Sequence, residues 1–158
     1  MKAHKIFFLL TVSISLFLSC SDDDGGSTTT EVDIYGTYDL QEVNVSTAVD
    51  VDGDGDGSSS TNLMDEVDCI SGTLIIRENM TWQFEQTNFT VTSITNNQVY
   101  VDCSGSSLGT GAWASDGVQI AFQGSSLLGT LQISTNRIIK VEGEDLPGVQ
   151  SYVYVKRQ

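Results

Sequence analysis

"GTLIIRENMTWQFEQ", residues 72–86, alternates apolar and polar side chains twice, with a short polar break between the two runs. In "GTLIIRE" (72–78) and "TWQFEQ" (81–86) the period is two, which sets apolar groups on one face of an extended chain. Asn79–Met80 between them has the length of a hairpin turn. The same pattern recurs on both sides. "IYGTYDLQEVNV" (34–45) precedes it. "FTVTSI" (89–94) and "QVYVDC" (98–103) follow around Thr95–Asn97, and "GTGAWAS" (109–115) and "VQIAF" (118–122) around Asp116–Gly117. "GTLQIS" (129–134) and "RIIKVEG" (137–143) meet at Thr135–Asn136, and "QSYVYVKR" (150–157) comes after Pro147–Gly148, a pair suited to a type II turn. Roughly nine or ten short strands at hairpin spacing predict an all-β antiparallel sandwich or barrel. The helical candidate is "SSTNLMDEV" (59–67), where Ser60, Thr61 or Asn62 can cap and Leu63 and Val67 share a face.

"GTYDL" (36–40) resembles the G-T-W-x-L opening of small bacterial lipocalin-like domains, with Tyr38 in the place of tryptophan. The later "GAW" (111–113), a cysteine on either side of the middle hairpins and the closing "YVYVKR" fit the same pattern, over residues 31–158. The resemblance implies an antiparallel up-and-down lipocalin-like barrel of roughly 8–10 strands with one short helix, closed so that no sheet edge is left bare. It also implies a cup for a small apolar or amphipathic ligand, although small barrels are equally filled by their own side chains. Trp82, Phe84, Tyr100 and Trp113 are either pocket-lining or core.

At the other end of the chain, "MKAHKIFFLLTVSISLFLS" (1–19) has a basic start and then an apolar run from Ile6 to Leu18. That run is shorter than the about twenty residues that span a bilayer, and it matches the core of a secretory signal. Ser19–Cys20 closing such a segment resembles the lipobox of bacterial lipoproteins. The resemblance implies removal of residues 1–19 and acylation of Cys20, where several chains anchor stably and one only marginally. "SDDD" (21–24) resembles the acidic tag of some surface-exported outer-membrane lipoproteins of Gram-negative bacteria. Residues 20–30 also read as a flexible tether with a reach of roughly 18 Å. The expected organisation is a signal peptide over 1–19, a lipidated tether over 20–30 and a barrel over 31–158.

The chain beyond residue 19 keeps five basic residues against twenty-one acidic ones, a formal charge of −16. Such a surface repels nucleic acid and suits divalent cations, basic partners or neutral ligands. Cys69 and Cys103 are the two remaining cysteines, and an oxidising compartment pairs them. Closing that loop would add about 4 kcal/mol on the chain-entropy model. The sole histidine, His4, belongs to the leader. Histidine triads, histidine zinc sites and histidine acid–base catalysis are therefore excluded from the remainder. Carboxylate pairs among Glu85, Asp102, Asp116 and Glu142 have no spacing that implies a glycosidase cleft. No catalytic activity is expected.

"DVDGDGDGSSSTNLMDEVDC" (50–69) carries the one ion-binding pattern. Counting from Asp50 as the first position of a calcium loop, Asp52 and Asp54 fall at positions 3 and 5, Gly55 at the sharp turn and the Asp56 carbonyl at position 7. Position 12 is Thr61 instead of glutamate, so no complete EF-hand is present. Asp65 or Glu66 can supply the missing carboxylate. The tentative calcium set is Asp50, Asp52, Asp54, Asp56 and Glu66, and the same residues read equally as a solvated acidic loop. The functional expectation is a non-enzymatic outer-membrane lipoprotein facing the cell surface, which binds a small amphipathic or glycan-derived ligand. The alternative is an accessory subunit of an outer-membrane assembly with a filled barrel.

Overall fold

The computed structural model describes residues 33–51, 59–93, 99–142 and 148–158. Nine strands run in chain order: β1 (Gly36–Val49), β2 (Ser60–Asn62), β3 (Gly72–Ile76), β4 (Thr81–Ser93), β5 (Val99–Ser115), β6 (Gln119–Gln123), β7 (Thr130–Ser134), β8 (Arg137–Val141) and β9 (Val149–Lys156). Every pairing is antiparallel, β3 through β9 pair in succession, and β9 returns to β1. Eight strands thus close a barrel, with β2 as an addition. Tyr38 faces both Leu74 of β3 and Lys156 of β9, and Asn44 faces both Asn62 of β2 and Ser151 of β9. The short strands β3 and β2 therefore share one edge of β1, β3 along its first half and β2 along its second.

Strand direction gives the barrel two ends. At the lower end lie the segment before β1, the β3–β4, β5–β6 and β7–β8 turns, and the last residues of the chain. The upper end takes the remaining connections, including the one from β1 that begins the acidic stretch.

Alternation places the core as anticipated, and β4 fills most of the axis. Trp82 meets Phe122 edge-on at 5.3 Å between ring centroids, and Phe84 meets Tyr154 at 6.2 Å. The Tyr154 hydroxyl donates to Gln86 Oε1, and Phe89 reaches Tyr152 at 6.2 Å. An eight-stranded barrel is wide enough to be filled by its own side chains or to hold one small ligand, and along its lower part these aromatics take up that width. Opposite Trp82, β5 has glycines at its inward positions. A Cβ on Gly109 would lie 2.8 Å from the Trp82 ring, and one on Gly111 only 1.8 Å from the Gln123 carbonyl oxygen. "GTGAW" is a groove cut for an indole, whose N–H donates to the carbonyls of Ala112 and Gln123, each at 3.0 Å.

The expected strands 81–86 and 89–94 form one strand, β4, with a bulge between Thr87 and Phe89; 98–103 and 109–115 likewise form one, β5. The polar run "SGSSL" (104–108) looks like a loop because it lacks β-formers, but β4 supplies its hydrogen-bonding partners regardless. The helix expected over 59–67 is also different. Ser60–Asn62 pairs with β1, and only Leu63–Asp65 turns, as a 3₁₀ segment. Asn62 explains the stop: its Oδ1 accepts from Met64 N at 3.2 Å and from Val43 N at 2.9 Å. That side chain ties the segment to β1 instead of letting a helix extend. Leu63, fully buried, fills the gap in the wall.

Candidate functional site

Two places gather chemistry-bearing side chains at the upper end. The first is the barrel mouth. β8 turns Ile138 and Lys140 inward, since their cross-strand partners are the buried Tyr154 and Tyr152. Lys140 Nζ lies 5.3 Å from the centre of the Tyr152 ring and forms an ion pair with Glu142, whose side chain is only 9% exposed. Phe89 closes on the Tyr152 ring from the long β4–β5 hairpin. Burial, then the charge of Glu142, push the Tyr152 hydroxyl up to about 12. Tyr154 beneath it is pushed higher still, chiefly by burial. The result is a cation over an aromatic face, a largely buried carboxylate beside it and an apolar floor. This arrangement can hold a polar group by charge and hydrogen bonding and a hydrocarbon or sugar face by contact.

The second place is the neck of the acidic stretch. Glu66 Oε2 accepts from the Val51 backbone N–H at 3.2 Å, and Asp65 accepts from Ser60 Oγ at 2.8 Å and Asn62 Nδ2 at 3.2 Å. The 3₁₀ turn therefore brings the Glu66 carboxylate back to the residue after Asp50. Asp52, Asp54 and Asp56 lie outside the described residues, as do the expected leader over 1–19, Cys20 and the expected tether over 20–30. No cluster of three or more ligating side chains occurs among the described residues.

Cys69 and Cys103 are bonded, with Cα atoms 6.2 Å apart. The bridge ties the connection after the 3₁₀ turn to the β4–β5 hairpin opposite Phe89. Of the four aromatics weighed in the sequence, Trp82, Phe84 and Trp113 are core and only Tyr100 is exposed. The carboxylates are dispersed. Glu85 and Asp102 lie exposed at separate positions on β4 and β5, and Asp116 is used up in its own turn, accepting from Val118 N and Gln119 N. Glu142 alone enters the mouth. Lys140 and Tyr152 were missed in the sequence; their signal was a lysine at an inward position of a strand, "RIIKV", in a chain with few cations.

No protein-family model matches the chain, and no curated protein sequence matches it. Among solved structures it is similar to a crystal structure described as a "putative lipoprotein" from Shewanella oneidensis, at 13% identity and a TM-score of 0.40, over 84% of this chain and 97% of that one.

Proposed function

We propose that this protein is a non-enzymatic lipoprotein of the bacterial envelope. It is anchored through Cys20 in the outer membrane, faces the cell surface, and holds a small amphipathic or glycan-derived ligand at the upper mouth of its barrel. The observation that carries this reading is the Lys140–Glu142 pair over the Tyr152 ring. A half-buried ion pair is weak support for stability, because desolvation offsets much of its attraction. Its position, inside a barrel and at the end opposite the one where the tether joins, suits ligand capture. Calcium held by the acidic stretch and Glu66 would order the neighbouring wall.

Native mass spectrometry of the full-length protein extracted from its own membranes tests this. A bound small-molecule mass that disappears in Lys140→Met is expected, together with acyl mass at Cys20. Recovery of the chain with no small molecule, or with the same adduct in Lys140→Met, contradicts the mouth as the site. A second reading has its own support. The aromatics along β4 fill the lower barrel, which favours an accessory subunit that works through its outer surface. A co-purifying protein in place of a small molecule would select it.

A further inference from the structure

We infer that the lower end of the barrel is a membrane-contact face, which rests on a phospholipid headgroup surface through Tyr35, Met80 and Val118. This deepens the lipoprotein reading above and rests on it. The large apolar side chains exposed among the described residues are Tyr35, Met80, Tyr100, Leu108, Val118 and Val141. Tyr100 and Leu108 lie along β5 and Val141 at the upper end of β8, separate on the outer wall. The other three share the lower end: Tyr35 in the segment before β1, Met80 in the β3–β4 turn and Val118 in the β5–β6 turn.

Trp113 binds two of them into one patch. Its ring lies 5.7 Å from that of Tyr35, its backbone N–H donates to the Met80 carbonyl at 3.0 Å, and its indole N–H donates to the Arg77 carbonyl at 3.1 Å. Met80 adopts φ 60°, a left-handed turn position that asparagine or glycine fills more readily. The methionine there is 57% exposed, and Val118 is 66% exposed. Apolar side chains at the tips of two adjacent turns, with an aromatic between them, match the residues that seat a protein at a bilayer interface.

Charge separates the two ends in the same sense. Five basic residues follow Cys20, and four of them, Arg77, Arg137, Lys156 and Arg157, belong to the lower end. Asp33, Asp39, Glu42, Glu78 and Asp116 stand against them, a formal balance of −1, and Glu42 pairs with Arg137 at 3.2 Å. Lys156 pairs with Asp33 at 3.0 Å and Arg157 with Asp39 at 2.6 Å. At the upper end, Asp50, Asp65, Glu66, Asp68, Asp102 and Glu142 stand against Lys140 alone among the described residues. In a chain of this acidity the lower end is the face that an anionic headgroup layer repels least. It is also where the segment from Cys20 joins, and a reach of roughly 18 Å keeps it beside the acyl chains.

Hydroxyl-radical footprinting of the full-length acylated protein on vesicles of phosphatidylethanolamine and phosphatidylglycerol tests the face. The soluble Cys20→Ala protein is the reference. Tyr35, Met80 and Val118 should oxidise at least about threefold more slowly on vesicles, while Tyr100, Leu108 and Val141 keep their rates. A Met80→Ser/Val118→Ser double variant should still float with vesicles and lose the protection of Tyr35. Equal rates for an acylated, vesicle-bound chain overturn the contact face but leave the anchor standing. Protection of Tyr100 and Val141 instead overturns it in favour of the opposite seating. A chain whose intact mass lacks acyl groups and which does not float overturns the lipoprotein reading itself, and this inference with it.

Discussion

Gly111 shows how much of this fold is decided by single side chains, or by the lack of one. Its place in "GTGAWAS" reads as strand in the sequence, and the structure adds why it is glycine: the backbone of Gln123 and the indole of Trp82 come too close for any Cβ. Gly111→Ala must push a backbone carbonyl aside, and overpacking of this kind costs about 3 kcal/mol or more. A urea-unfolding midpoint of the variant checks this, and an unchanged midpoint would mean that β5 and β6 part freely. Tyr38 is a contrasting case, because its role is visible in the motif. It is buried, and its hydroxyl donates to the Ile34 carbonyl at 2.9 Å, which pins residues 33–35 under the barrel. Burial, with the Asp33 charge next, pushes that hydroxyl up to about 12. The mouth residues were harder to see. Lys140 is one letter in an alternating strand, and only the register of β8 on β9 sets it across from Tyr152.

Among elements, the β4–β5 hairpin departs most from the alternation in the sequence. Its outer half has no further strand on β5 beyond Ala112 among the described pairings, so local propensity alone would let it fray. Two things hold it: the inward side chains Phe89, Val91 and Val101 against the core, and the bridge from Cys103 to Cys69. Replacing both cysteines by serine should lower the unfolding free energy by about 4 kcal/mol, from the larger loop left open in the unfolded chain. Denaturant unfolding of the double variant measures this. Hydrogen exchange should show the loss of protection concentrated in residues 87–107. The pairing of Cys69 with Cys103 was legible from their number, two cysteines beyond residue 20. That the bridge fixes a hairpin beside the mouth was not, because β4 had been read as two strands.

For the whole molecule, the acid limb of stability should be set by surface carboxylates of the lower end. Lys156 holds Asp33 below the ordinary carboxyl value of 3.8, Arg157 does the same for Asp39, and the backbone N–H groups of Gln119 and Val118 do so for Asp116. Folded values below the unfolded one mean that the folded chain binds fewer protons in acid. This stabilisation is complete above pH 3.8 and lost as the pH falls through the lower folded values. The thermal midpoint should be level down to about pH 4 and then drop, and Arg157→Met should lessen the drop. A midpoint that rises on acidification below that pH would contradict the assignment.

By itself the sequence determined the all-β class, the positions of most turns, the inward residues of nearly every strand and the pairing of Cys69 with Cys103. Those properties are local or countable: a period of two, a turn dipeptide, two thiols. Tertiary structure alone decided that eight strands close, that β4 and β5 run unbroken through their polar middles, and that the interior is filled by aromatics along one strand. It also decided that cations and bare apolar tips gather at the end where β1 begins. Each of those depends on which strands become neighbours, and the energy of a side chain on a barrel is set by what stands across from it rather than by what precedes it in the chain.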